Sequence, residues 1–442
     1  MLPKKKNPNQ LGFYSTFFEQ LDHNHPLFQL AIAIRWEVFE DNFSKHYSLN
    51  QGKPAKPIRL MVSLLILKQV RNLSDESVVE HWSENSYYQF FSGEEYFTPK
   101  TPCSSTELVE FRKRIGAEGA ELILKESIRV NGNDSNDDNL SGDTTIQEKN
   151  ITYPTDDKLY KKIIKECRNI ASEEEIVLRQ SYSQTVKKLC TVQRFKKNKN
   201  GAKLARKASK KIKTIAGVLI RELNRKLTAT SLSKHSSNLA LFAKVLNQNR
   251  HDTNKIYSLH EPHVKCYTKG KEHKKFEFGS KASFLITQKT GVIVGALNFN
   301  STEHDSKTLP KAIEQYERLT SNKAKNIFLD RGYRGPKCIN QTNICVPVPD
   351  KNIRKAKRKG HSRRAAIEPV IGHLKQNYRM SRNYLKGILG DELNVMLAAA
   401  AMNFKRVMNL WKTEAIYCWK LTVHIIMVVY KYLFAQKLKM TF

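Results

Sequence analysis

The sequence predicts a mixed α/β domain, a mixed sheet flanked by helices, preceded by an all-α N-terminal segment and interrupted by a basic helical insertion. Three observations lead there. Residues 1–130 carry apolar residues at helical spacing. β-Branched runs bounded by turn formers begin at Asp143 and dominate from Ile256 onward. Between them, from about Asp156 to Asn254, helical spacing returns with a heavy load of lysine and arginine.

Within the first segment, Ile58 to Val70 is an apolar run beginning just after Pro57, and reads as a buried helix. A second helix is expected from Ser74, whose hydroxyl can cap it, through Val78, Val79, Trp82 and Tyr87 to about Phe91. A third starts at Ser104, where Glu107 completes a capping box, and carries Leu108, Phe111, Arg112 and Ile115. Three short helices with Arg112, Lys113 and Arg114 on the last suit either a helix-turn-helix-like DNA reader or a helical packing module. Residues 131–139 hold only polar turn formers before Leu140, so they read as a linker.

Asp143-Thr144-Thr145-Ile146 then has strand composition, giving the α/β domain as residues 140–155 and 256–411 around the insertion 156–255. Ser283–Thr287 and Val292–Leu297 flank a Gln288–Gly291 turn, a hairpin signal. Thr308 to Leu319 reads as a helix with Pro310 in its first turn. Asn326 to Leu329 is a short buried strand ending in Asp330, and Ile344 to Val348 an edge strand because of Pro347. A basic loop, Lys351 to Arg364, precedes a helix through Glu368. Leu393 to Trp411 is a helix with Leu393, Met396, Leu397, Ala400, Phe404, Val407 and Trp411 on its core face.

Composition narrows the function. The chain has 442 residues, 40% hydrophobic and 27% charged, which supports buried cores and excludes disorder throughout. Lysine and arginine total 76 against 42 acids, a net charge of +34. Such a surplus points to a polyanionic partner and away from a small-molecule enzyme with an ordinary surface. Between Lys187 and Lys226 there are fifteen basic residues and one acid, Glu222, which favours a phosphate-tracking surface over a merely solvated face. Seven cysteines without a Cys-x-x-Cys support neither a disulfide framework nor a zinc ribbon, and fit a reducing, intracellular compartment. The basic N-terminus lacks an apolar signal core. Ala415 to Phe434 is apolar but interrupted by Lys420, His424 and Lys431, so residues 412–442 read as an amphipathic tail and no membrane partner is expected.

Three acids stand where chemistry is expected. Asp143 opens the first strand after the linker, and Asp330 ends an apolar run before Arg331-Gly332-Tyr333-Arg334-Gly335, at the rim of a sheet. Glu368 lies beside Pro369 in a first helical turn, with Ile367, Val370, Ile371 and Leu374 as the buried stripe and Lys375 two turns on. Carboxylates are hard oxygen ligands that suit Mg²⁺, and three of them can hold a pair of ions at a phosphodiester. Taken singly each acid has a plainer reading: a turn acid, a cap, a helix-terminus charge. Asp305, after His304, reads as a cap or loop acid, His373 as a packing or surface residue, and Lys271-Glu272-His273-Lys274-Lys275 as a solvated hairpin edge.

The segments SGDTTIQEKNITYPTD, NIFLDRGYRG and IEPVIGHLK, in this order, resemble the DDE transposases of bacterial insertion sequences, in the group of families four and five. That group carries a Tyr-x2-Arg-x3-Glu-x6-Lys signature; Arg364, Glu368 and Lys375 match its last three positions, and His361 stands at the tyrosine position. The resemblance extends over most of the chain. It implies an RNase H-like catalytic domain in which Asp143, Asp330 and Glu368 are catalytic and hold two Mg²⁺ or Mn²⁺ ions. Phosphate contacts are then expected from Arg364, Lys375, His361, Arg331 and Arg334. It further implies double-stranded DNA partners (terminal inverted repeats and target), metal-dependent cleavage and strand transfer, a homodimer on DNA, and a bacterial, nucleoid-associated setting. Two other readings remain open on the residues alone: a non-cutting DNA binder on the same fold, and an RNase H-like nuclease without strand transfer.

Overall fold

The computed structural model of the chain describes residues 15–48, 52, 54–195, 197–249, 251–271, 274–347 and 355–439. The basic N-terminus, Glu272 and His273 of the charged cluster, Val348 and Lys351 to Arg354 lie outside them, as do the side chains of the tail beyond Thr413.

Seven helices come first: α1 (Phe17–Gln20), α2 (Pro26–Ala33), α3 (Trp36–Phe43), α4 (Ile58–Val70), α5 (Asp75–Glu84), α6 (Ser86–Phe91) and α7 (Ser105–Val130). Helix α4 is buried on nearly every side, as an all-round apolar helix must be. The single helix expected from Ser74 to Phe91 is two. Asn85 leaves helical geometry (φ −122°, ψ 111°) and its carboxamide accepts from Tyr88 N, capping α6. An asparagine that can satisfy an orphan N–H this way favours a cap over a helix interior. The Ser104–Glu107 capping box forms at the start of α7 as expected. Gly116 then takes φ 61°, ψ −165°, a kink open to glycine at little cost.

Arg112 does not face outward. It is buried and forks onto Asp75 at 2.7 and 2.6 Å, while Lys68 reaches the same carboxylate at 2.7 Å. Arg114 lies over the Tyr47 ring and Lys113 pairs with Glu110. Of Arg112, Lys113 and Arg114, the first is thus committed to the interior. Residues 131–139 are pinned: Gly132–Ser135 form a 3₁₀ turn, Arg406 bonds Asn131 and Asp134, and the buried Asp137 accepts from Lys289 N.

The sheet opens with β1 (Asn139–Glu148). The chain then leaves it for four helices, α8 (Asp156–Glu173), α9 (Ser183–Arg194), α10 (Lys199–Lys226) and α11 (Ala229–Asn247). It returns as β2 (Lys265–Lys271), β3 (Lys274–Thr287) and β4 (Ile293–Phe299), then α12 (Asp305–Thr320), β5 (Asn326–Phe328), β6 (Cys338–Ile339) and β7 (Thr342–Cys345). The last helices are α13 (Lys355–Arg364), α14 (Ile367–Asn377) and α15 (Gly387–Lys439). Strand β1 is central, antiparallel to β3 on one side and parallel to β5 on the other. Strand β7 continues parallel to β5, β6 closes that edge, and β4 and β2 pair antiparallel along β3.

Several boundaries differ from the sequence reading. Helix α12 begins at Asp305, so Pro310 falls inside it rather than in the first turn. Strand β7 ends before Pro347 and is not the edge, because a two-residue turn with Asn340 and Gln341 at positive φ folds β6 against it. The basic stretch expected to be a loop is helical from Lys355 to Arg364, a run of lysine, arginine and alanine that favours helix.

One hydrophobic core joins the N-terminal helices, the sheet, α12, α14 and α15. Helix α15 packs on α2, α4 and α7 as well as on β4. A second core belongs to the insertion, built from α8, α10 and α11. The ends of the insertion meet where Lys255 reaches Asp156 at 3.1 Å. Among the described residues no helix is long and apolar enough to cross a membrane.

Candidate active site

The parallel register of β1 and β5 sets the first two acids. Ser141 is level with Phe328 in the ladder. Two residues further along each chain come Asp143 and Asp330, on the same side of the sheet because side chains alternate with a period of two. Leu329 N still bonds Cys345 O, so the strand geometry persists up to Asp330. Asp330 then accepts from Gly332 N at 2.9 Å, which starts the 3₁₀ turn Arg331–Tyr333.

Asp143 accepts from its neighbour Thr144 N at 2.7 Å and is only about 20% exposed. Burial pushes its carboxyl up to about 6, and the negative charges of Asp330 and Asp305 add to the rise; the Thr144 N–H and Arg364 oppose it.

Arg364 links the third acid to the first. Its guanidinium lies 3.7 Å from Asp143 Oδ2 and 3.2 Å from Glu368 Oε1. Helix α13 is held against the central strands β1 and β5 to make this possible. Gln288 donates to Gly360 O and Ser141 Oγ, and Arg363 donates to Gln288 O. The His361 ring sits edge-on to Phe328 at 5.3 Å. A methyl at Gly360 would come within 2.2 Å of the Phe328 ring, so the close approach depends on glycine. On α14, Ile367, Val370 and Leu374 face inward, which turns Glu368 (64% exposed) toward solvent and leaves Lys375 half-buried. Arg331 and Arg334 are exposed on either side of the buried Tyr333.

Asp143, Asp330, Glu368, Arg364 and His361 therefore share one region, with Arg331 and Arg334 on its border. The three acids do not form a closed ligand cage. Among the described residues, only Glu173, Glu174 and His235 bring three ligand atoms within 4.8 Å of one another. That trio is already neutralised and bonded, by Lys234 on both glutamates and Ser231 on Glu174, and ties the end of α8 to α11. Asp143, Asp330 and Glu368 offer only hard carboxylate oxygens as donors. That chemistry fits Mg²⁺ or Mn²⁺.

Two residues beside Asp143 were not read from the sequence as site residues, Asp305 being taken for a cap or loop acid. Asp305 accepts from Thr144 Oγ1 at 2.9 Å and from Lys281 Nζ at 2.7 Å. The helix cap is His304, which accepts weakly from Ser306 N. Tyr333 is buried, and burial with the Asp143, Asp305 and Asp330 charges holds its phenol well above the usual range. The only sequence signal for Asp305 was an acid at a helix start following a strand pair, which is common in proteins without an active site.

Comparison with known proteins bears on these elements. A family described as a transposase domain (DUF772) matches residues 15–114, and one described as a transposase DDE domain matches residues 258–404. The second match includes Asp330 and Glu368; Asp143 lies before the insertion, outside it. A protein of Rhizobium meliloti described as "Uncharacterized protein ORF8 in nfe locus" is 40% identical over 167 residues, 37% of this chain and 80% of that protein. No solved structure matches the chain significantly.

Proposed function

We propose that the chain is a DDE transposase that moves an insertion sequence, a reading supported by its matches, in order, to a transposase domain and a transposase DDE domain. It binds the terminal inverted repeats, cuts DNA at the element ends and joins them to target DNA. The observation that carries this reading is Asp143 on β1 with Asp330 two residues past the end of the adjacent parallel strand β5, and Arg364 joining Asp143 to Glu368. The strand order β4-β3-β1-β5-β7, with β3 antiparallel and β5 and β7 parallel to β1, supports an RNase H-like catalytic domain.

In this proposal Asp143, Asp330 and Glu368 hold two Mg²⁺ or Mn²⁺ ions. Bound there, the ions would activate the attacking oxygen and stabilise the leaving one. The chain's own groups do the rest. Arg364 presents a planar fork that suits paired phosphate oxygens. In this proposal the exposed Arg331 and Arg334, with Lys375 and His361, bind backbone phosphates and fix the strand being cut. Lys281 and Thr144 hold Asp305 in place beside Asp143. Two DNA ends are brought together by a homodimer on DNA, in the bacterial nucleoid.

The test is incubation of purified protein with Mg²⁺ and DNA carrying the ends that flank its own gene, with products mapped to the nucleotide. Ordered cuts followed by joining are expected. Nicking without joining would select a nuclease, and retention without breakage a DNA binder. Asp143→Ala, Asp330→Ala and Glu368→Ala should each abolish cleavage while DNA binding survives; a variant that still cuts removes its residue from the metal site.

A further inference from the structure

The insertion segregates its charge. Residues 176–221 contain fourteen lysines and arginines and no aspartate or glutamate. Elsewhere in the insertion acids are present and three lysines pair with them: Lys226 with Glu222, Lys234 with Glu173 and Glu174, Lys255 with Asp156. The uncompensated stretch is α9 and the first half of α10. Helix α9 has no buried residue, and it packs along α10, with Gln193 donating to Ser209. The buried part of α10 that meets α8 and α11 starts at Ile212. The turns before it, with Ala205 and Ala208 as their buried positions, are braced by α9. These two helices make an arm standing on the insertion core.

Along α10 the exposed Lys203, Lys207 and Lys210 of the arm share one face with the exposed Arg221 and Arg225 of the core-packed half. Exposed Arg206 and Lys213 lie on one flank and Lys211 on the other. From Lys203 to Arg225 the face runs about 33 Å at 1.5 Å per residue, close to one turn of duplex DNA. Like charges at i,i+4, as at Lys203–Lys207 and Arg206–Lys210, cost the free helix a few tenths of a kcal/mol each. Among the described residues no acid pairs with these side chains to offset that cost; phosphates spaced along a duplex would.

We infer that the α9–α10 arm is a sequence-independent clamp for duplex DNA, holding the backbone through Lys203, Lys207 and Lys210. This rests on the transposase reading for its choice of partner. The buried Arg112 on α7 is committed to Asp75 and is not free to hold a phosphate.

The test compares the full chain with its K203Q/K207Q/K210Q variant on a random 30-base-pair duplex, over a series of salt concentrations. The expected result is at least tenfold weaker binding at about 0.1 M salt and a logarithmic salt slope shallower by about 2.7, from three lost phosphate contacts at −0.9 each. Because all three side chains are exposed, the melting temperature should stay put or rise. Unchanged affinity and slope would overturn the clamp while leaving cleavage of element ends by the parent chain, and with it the transposase reading, intact. Loss of binding to anionic phosphatidylserine vesicles with duplex binding unaltered would also overturn it, assigning the face and the exposed Phe195 and Leu204 to a lipid surface. A parent chain that bound no duplex at all would remove the transposase reading first.

Discussion

Asp143 is held in a place that disfavours its charge. Its carboxyl rises from 3.8 to about 6, so the folded chain binds the proton more tightly than the unfolded one. Stability from this group is therefore complete below about pH 4 and is lost as pH climbs through about 6, a difference of roughly 2–3 kcal/mol. Asp143→Asn should raise the thermal midpoint of the metal-free protein at pH 7.5 and leave it nearly unchanged at pH 4. Melting curves at the two pH values check this, and an Asn variant no more stable at pH 7.5 would show that Arg364 already neutralises the carboxylate. Such a cost is expected where a site is organised for a cation rather than for stability. The sequence alone marked Asp143, Asp330, Glu368 and Arg364, since each sits in a recognisable stretch of text. Asp305 and Tyr333 could not be found that way. Their place beside Asp143 depends on contacts across some 160 to 190 residues of chain, and neither carries a local pattern that separates a site residue from a cap or a core tyrosine.

Among the elements, α4 shows how far periodicity reaches: a proline, an unbroken apolar run and nothing to stop it give Ile58–Val70 from pattern alone. Asn85 and α13 show where it stops. A cap in mid-pattern depends on one side chain finding one N–H, and α13 is amphipathic to no clear degree, so its helicity rests on propensity and on docking to Gln288 and Phe328. Two predictions belong here. Asp75 balances Lys68 and Arg112 in the N-terminal helices, and burial, the larger effect, with Arg112 nearby pulls the Lys68 amine down to about 8. Asp75→Ala should cost about 3–5 kcal/mol in urea unfolding, because it strands two buried cations. A loss under 1 kcal/mol would mean water reaches them. Gly360→Ala should force α13 off Phe328 and destabilise by about 1–3 kcal/mol. Cleavage should fall further than that loss of stability explains, because Arg364 moves with the helix.

The two cores make different demands on the chain. The insertion has its own interior and returns to its starting point through Lys255 and Asp156. Replacing residues 156–255 by a short Gly-Ser turn should therefore leave a soluble, cooperatively melting protein. Deleting residues 15–130 should not, since α15 would lose the partners α2, α4 and α7 and bare its apolar side. Light scattering and calorimetry on the two deletions test this, and a well-behaved product lacking the N-terminal helices would contradict it. The same α15 also binds β1 from the sheet side, through the buried Lys149–Asp391 pair and the Gln147–Asn394 hydrogen bond. It comes late in the sequence, yet both the earliest helices and the central strand need it. During synthesis, at roughly 5–20 residues per second, those earlier pieces leave the ribosome without the element that seals them. Folding must wait until translation has passed residue 408, and a message cut short before that point yields a polypeptide in which neither half is closed.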